Sequence, residues 1–276
     1  MNEFEDIKEN ILTNAPRFKE TDRFKFSCHP GVSCYKQCCG DVNIFLTPYD
    51  ILRMKNRLGI SSDEFLERYT LQPFTENQQV PVVVLKMSDN ENRQCSFLGP
   101  EGCTIYEDRP WSCRMYPLGL ASPKENGGGN GEEEFYFLMQ EEHCCGFEEY
   151  TEWTVRQWLE NQGILEYNRM GEYFKEITLH DFFRKGGRLD PEKMEMYYMA
   201  CYNLDKFRRF IFESRFLSYF DIDADLAESI RTDDLQLMQF AFRWLRFSLF
   251  NEPAIKIRDE VLAIRKRQLL GKKHAQ

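Results

Sequence analysis

The sequence predicts an α+β protein: a small mixed cysteine-rich module over residues 24–148, followed by an all-helical part over 151–270. Three observations predict it. Cys28, Cys34, Cys38 and Cys39, then Cys95, Cys103 and Cys113, fall in stretches rich in Gly and Pro, where a packed core is not expected. Short β-branched runs lead into and out of those stretches. From Thr151 onward there is no clustered cysteine, and apolar residues recur at three- and four-residue steps.

The elements follow in order. Residues 1 to 25 read as a polar lead-in with one or two helical turns. After the first cysteine loop, Val42 to Leu46 alternates like a short strand. Thr47-Pro48-Tyr49-Asp50 is a helix start, with a capping hydroxyl, proline at the first helical position and an acid at the positive end of the dipole. Ile51, Met54 and Leu58 continue that helix and Gly59 stops it. A second capping box, Ser61 to Glu64, opens a helix carrying Phe65, Leu66 and Tyr69. Val80 to Met87 reads as a strand, with Pro81 at its start, that delivers the chain to Cys95. Pro123 to Gly131 contains three consecutive glycines but neither phosphate-loop spacing, so it reads as a hairpin tip. Phe135 to Met139 is the returning strand, ending at His143-Cys144-Cys145-Gly146.

In the second half, Thr151 is expected to cap a helix with Val155, Trp158 and Leu159, stopped near Gly163. Asp190-Pro191-Glu192 starts another, with Met194, Tyr197, Cys201, Leu204, Arg208 and Ile211 in step. Thr232 is expected to begin a third, carrying Leu237, Phe240, Ala241, Trp244 and Leu245. A last helix spans about Pro253 to Leu270. Cys201 sits on an apolar helical stripe and reads as a buried thiol.

The totals narrow the function. The chain has 276 residues, 42% hydrophobic and 29% charged, enough to bury a sizeable core. Its net charge of −9 argues against nucleic acid, whose binding depends on Lys and Arg neutralising phosphates. The basic run from Lys256 to Lys273 reads as a solvated helix face and tail. The first ten residues have no basic start and no apolar run, so no secretory signal is expected. No window reaches the length of a membrane span. The expected location is the cytoplasm, where ten cysteines point to metal or redox chemistry rather than disulfides.

Cys28, Cys34, Cys38, Cys39, Cys95, Cys103, Cys113 and Cys144 are the candidate metal ligands. Eight thiols suit two four-thiolate sites, or one multinuclear cluster with extra ligands. Thiolate is a soft donor and selects zinc, iron–sulfur clusters or copper(I) over magnesium or calcium. In an extended backbone the consecutive Cys38 and Cys39 point to opposite sides, so they serve different metals, or different corners of a cluster, more easily than one ion. The spacing Cys-x5-Cys-x3-Cys-Cys is neither a zinc-ribbon nor a ferredoxin run, so the metal stays open.

Arg109 and Arg114 flank Cys113 and are candidates to offset thiolate charge and donate hydrogen bonds around the site. Tyr106, Trp111 and Tyr116 are expected to wall it from water. Cys145, His29 and His143 are the alternative ligands.

Phe26-Ser27-Cys28, Cys34, Cys38-Cys39, Cys95-x-Phe97-Leu98, Cys103-x-Ile105-Tyr106, Arg109-Pro110-x-x-Cys113-Arg114, Tyr116-Pro117 and Cys144-Cys145-Gly146 together resemble the CxxCxxCC cysteine-cluster family over residues 24 to 148. The resemblance implies a zinc- or iron-chelating domain. The first motif departs, with spacings of five and three where the family has two and two, which leaves room for His29. The cysteine arrangement is also similar to that of flagellin lysine N-methylases, which implies an iron–sulfur cluster and S-adenosylmethionine. The expected function is that of a cytoplasmic metal-binding protein with a cysteine-ligated zinc or iron–sulfur site. Its expected role lies in protein interaction, metal handling or electron transfer, with another protein as partner and neither nucleic acid nor membrane. The alternative is an S-adenosylmethionine-dependent protein lysine N-methylase or an iron–sulfur redox enzyme.

Overall fold

The computed structural model describes residues 11–73, 79–121 and 134–273. The architecture is mixed, with small sheets and many helices. The chain divides into two compact units, each assembled from two stretches of sequence: Met1–Ile44 with Met87–Asn168, and Phe45–Lys86 with Arg169–Gln276. The stretches 24–148 and 151–270 expected as domains are contiguous in sequence, whereas the units are not. Residues 45–86 belong with the helices, and the helix Val155–Asn161 belongs with the cysteines.

The cysteine unit is built on three two-stranded antiparallel pairs. Arg23–Lys25 pairs with Glu152–Thr154, Leu118–Ala121 with Phe135–Leu138, and Leu98–Gly99 with Gly102–Cys103. The first pair explains where the following helix begins. Glu152 to Thr154 is drawn into a strand by Arg23 to Lys25, so the helix starts at Val155 and its cap is Thr154, not the expected Thr151. Thr154 and Gln157 form the reciprocal capping box, at 3.1 and 2.9 Å. Phe24, Phe26, Met115, Leu118, Val155, Trp158, Leu159 and Ile164 form the core of this unit. Trp158 is its centre, meeting Phe24 and Phe26 edge-on at 6.0 and 5.5 Å and donating from Nε1 to the Met115 carbonyl at 3.3 Å. Each such buried side chain contributes about 1.5–3 kcal/mol, so this layer holds together through apolar burial and gives the loops above it a firm base.

The helical unit contains a three-stranded antiparallel sheet in the order Phe45–Leu46, Val83–Leu85, Thr70–Leu71. The strands are shorter than the expected Val42 to Leu46 and Val80 to Met87. Thr47 caps the helix Pro48–Leu58 through a capping box with Asp50, and Gly59 ends it in the left-handed conformation. Ser61 caps Ser62–Tyr69. The long helix Asp234–Phe250 packs on Pro191–Tyr202, Leu204–Glu213 and Ala224–Thr232. Its buried Leu237, Phe240, Ala241 and Leu245 realise the expected stripe.

Several helix boundaries differ from expectation. The stripe from Met194 to Ile211 is broken at Asn203, whose side chain caps Leu204–Glu213 by accepting from the Lys206 amide. Asn203 also donates to Asp63 at 2.7 Å and accepts from the buried Ser62 hydroxyl at 2.9 Å, so the break is fixed by a polar network. Asp233, not Thr232, caps the long helix; Thr232 closes the preceding one, Ala224–Thr232. The last helix starts at Asp259 rather than near Pro253. Ile164–Thr178, within which the boundary between the units falls, was not expected. The glycine loop expected as a hairpin tip lies outside the described residues, between the paired strands Leu118–Ala121 and Phe135–Leu138. Among the described residues no helix is long and apolar enough to cross a membrane.

Candidate metal centre

Nine of the ten cysteines lie in one unit; Cys201, fully buried on the helix Pro191–Tyr202, lies in the other. None of the ten is in a disulfide, and the nine are partly or well exposed. Buried structural thiols look like Cys201. Thiols held at a surface in loops do not arise from packing.

The first cysteine loop is anchored by Phe26, buried in the core, whose amide donates to the Thr151 carbonyl at 2.9 Å. The next amide, Ser27, donates to the Gly146 carbonyl at 3.0 Å. This approach explains the glycine after Cys144-Cys145: a Cβ on Gly146 would stand 2.7 Å from the Phe26 ring and 2.9 Å from the Ser27 carbonyl oxygen. With the two strands so close, the Cys145 amide donates to the Cys34 sulfur at 3.2 Å, and the Ser33 hydroxyl reaches the Cys145 sulfur at 3.3 Å. Tight turns then carry the chain through Cys34 to a 3-10 turn at Gln37–Cys39, entered at Lys36 with φ of 73°.

The second loop is tied to the end of the first. The Cys95 amide donates to the Cys39 carbonyl at 2.7 Å, and Gly40 bridges to Gln94. Cys95 precedes the hairpin in which Leu98 pairs with Cys103. The amides two residues on, Phe97 and Ile105, donate to the sulfurs of Cys95 and Cys103. Gly102 makes the hairpin turn at φ of 127°, where the Tyr35 hydroxyl leaves no space for a Cβ. Cys113 follows on the short helix Trp111–Met115.

The Arg-Pro-x-x-Cys-Arg segment owes its arginines to bracing. Arg114 is buried; Nε donates to the Arg109 carbonyl at 3.0 Å, and the other nitrogens donate to the carbonyls of Gln162, at 2.7 Å, and Glu107. Arg109, also buried, lies 3.7 Å over the Tyr106 ring and donates to the Tyr106 carbonyl and to Gln162. The hydrogen bonds of both arginines thus go to the loop and the following helix, while the charge of Arg109 reaches Cys103 and Cys113. Trp111 donates to Asn168 at 2.7 Å, and Tyr106 is half-exposed rather than a wall. The His29 ring accepts from the Gly31 amide at Nδ1 and faces Glu149 at Nε2, and His143 faces Glu141.

The thiols sense one another. Burial, and after it Cys38, Cys34 and Cys144, push the Cys28 thiol up to about 11. A hydrogen bond between Cys38 and Cys39 draws Cys38 down to about 7 and, with burial, Cys38 itself, Cys113 and Cys95, drives Cys39 up. Burial also raises Cys95 and Cys103, opposed by the two loop amides. Thiols this close cannot all ionise without a counter-charge, which a soft cation supplies. The Tyr116 hydroxyl, which sequence reading took only as a wall, is buried without a partner of good geometry. Burial and the adjacent Cys144 keep it protonated, which makes it a donor suited to a thiolate. The signal available in the sequence was its place in Tyr-Pro directly after the Cys113 helix.

The donor set therefore fits zinc or iron in its chemistry. Among the described residues no three His, Cys, Asp or Glu side chains stand in the geometry of a formed ion site. The thiols are neighbours rather than a closed coordination shell.

No curated protein and no solved structure matches the chain, so the likeness to flagellin lysine N-methylases rests on the cysteine arrangement alone. Residues 27–146 match the CxxCxxCC family, described as "Putative zinc- or iron-chelating domain". That stretch begins one residue before Cys28, ends at Gly146, the glycine packed on Phe26, and takes in every cysteine but Cys201.

Proposed function

We propose that this chain is a cytoplasmic protein that binds zinc or an iron–sulfur cluster through Cys28, Cys34, Cys38, Cys39, Cys95, Cys103, Cys113 and Cys144, and that it handles metal or passes electrons with another protein as partner. The observation that supports this reading is that partly exposed thiols from three stretches of sequence are tied to one another, the Cys145 amide to the Cys34 sulfur and the Cys95 amide to the Cys39 carbonyl. Exposure supports an exchange role over a purely structural one. A purely structural staple is closed over by its loops, whereas Cys28, Cys38 and Cys113 are exposed, which suits exchange with a partner. Bound metal would supply charge compensation and, as iron–sulfur, a redox couple; the chain's own part is to hold the thiols, offset their charge from Arg109 and limit water with Tyr116. The cytoplasmic part of the proposal is supported by the rule that free ligand thiols persist where the compartment is reducing.

Anaerobic purification with metal and sulfide analysis and a visible spectrum tests it. A brown protein with iron and sulfide, or a colourless one with zinc, supports the reading. A protein that leaves purification metal-free and takes up neither metal on reconstitution overturns it.

A further inference from the structure

The cysteine unit also carries an open cavity of about 870 Å³, walled by three turns at residues 35–41, 91–94 and 98–100, with no cysteine in its lining. The turns are tied to one another. Lys36 Nζ donates to the Pro100 carbonyl at 2.7 Å, the Asp41 amide donates to the Arg93 carbonyl at 3.1 Å, and the Asp41 carboxylate meets Arg93 at 3.1 Å. The cavity is therefore held in shape by the chain itself. Among the described residues four that are not glycine hold a left-handed φ, and three of them, Lys36, Asp41 and Arg93, line this cavity at 73°, 50° and 43°. Such conformations are unfavourable for a residue with a Cβ and gather where a ligand is gripped.

The lining selects by charge. Lys36 and Arg93 are positive, Asp41 and Glu91 negative, and Gln37, Asn92 and Gln94 add neutral amides. Arg93 and Asp41 offset each other, which leaves Lys36 on one turn and Glu91 on another. A simple anion meets two carboxylates here, and a simple cation meets two basic groups. An apolar molecule would strip water from charges and return no hydrogen bond. A dipolar molecule satisfies both signs, and the volume, in the range that holds drug-sized ligands, exceeds what one amino acid fills. We propose that this cavity binds a short zwitterionic peptide, its carboxylate on Lys36 and its ammonium on Glu91. The proposal stands apart from the metal reading, although the two sites are neighbours: Gly40 follows Cys39, Gln94 precedes Cys95, and the Cys95 amide is bonded to the Cys39 carbonyl.

The test is calorimetric titration of the full chain, as purified, with triglycine. The expected result is about one equivalent bound per chain. N-acetyl-triglycine, which lacks the ammonium, and triglycine amide, which lacks the carboxylate, should each bind about tenfold more weakly. Glu91→Gln should weaken triglycine about tenfold and leave the acetylated peptide unchanged; Lys36→Gln should do the same with respect to the amide. Lys36 also ties two turns together, so Glu91→Gln, which removes none of these ties, is the decisive variant, with circular dichroism to show its fold kept. Equal binding of all three peptides, or no binding of any, would overturn the proposal. Inorganic phosphate binding as tightly as triglycine would overturn it too, by making the cavity an anion site. Metal content is read separately on the same preparation, so a metal-free chain that binds triglycine would support this proposal and contradict the metal reading alone.

Discussion

The main-chain amide of Cys145 donates a hydrogen bond to the sulfur of Cys34 at 3.2 Å, across 111 positions of sequence. That contact exists because Gly146 lets the chain lie against Phe26 and Ser27. Gly146→Ala should force the strands apart. The expected cost is about 1–3 kcal/mol, the range for an extra methyl in a tight contact. Metal content should fall with it while the helical signal persists. Full metal content at unchanged stability would show that this approach does not set the site.

Cys113→Ser and Cys201→Ser should separate ligand from packing. The first should lower metal content. The second should leave it unchanged and lower stability by about 1–2 kcal/mol, since a hydroxyl replaces a thiol in a fully buried position. Equal loss of metal from both would make Cys201 a ligand.

Arg114→Lys should not be conservative. One ammonium cannot reach the carbonyls of Arg109, Gln162 and Glu107 from the positions the guanidinium uses. A loss of about 1–3 kcal/mol is expected, read by chemical denaturation of the metal-loaded protein. Wild-type stability would show that the bracing carries no weight.

The helical unit should weaken in acid through Asp234. Burial pushes its carboxyl up, but hydrogen bonds and charge from Lys55 and Arg208 outweigh that, and the net shift is downward. A carboxyl lowered in the folded state contributes stability above its unfolded value near 4, and the contribution is lost as pH falls through the folded value. Lys55 is almost wholly buried and 2.7 Å from Asp234. Asp234→Asn should therefore lower stability at neutral pH by on the order of 2 kcal/mol, and the difference from wild type should shrink below pH 4. A constant difference across that window would assign the effect to packing.

Local chemistry was legible in the sequence where it is self-contained. Thr47, Asp50 and Gly59 are sufficient to place one helix, and the cysteine loops declare themselves by the company of Gly and Pro. What was not legible depends on partners far away. Thr151 and Thr154 are equal candidates until Arg23–Lys25 claims the intervening residues as a strand. Asn203 breaks a continuous apolar stripe only because Ser62 and Asp63 hold it. Asp233 outcompetes Thr232 by accepting from two amides, of Leu235 and Gln236. The same holds for the site: eight thiols could be counted, but their sorting into neighbours required the Cys34–Cys145 and Cys39–Cys95 contacts. The grouping of residues 45–86 with the distant helices has no local signature at all.

That grouping gives metal removal an uneven expected effect. Under reducing conditions, stripping the metal should speed hydrogen exchange around Cys28 to Cys39 and Cys95 to Cys113, because ligand loops take much of their order from the metal. Residues 47–71, which lie between those loops in sequence, should keep their protection along with Leu204 and Trp244. Loss of protection throughout would mean the units fold as one.

The most direct measurement is X-ray absorption at the edge of the metal bound to the purified protein. Sulfur donors alone in the first shell, at about 2.3 Å, are the expected result. A shell containing the nitrogen of His29 or His143, or carboxylate oxygen in place of sulfur, would contradict the assignment of the site to its eight thiols.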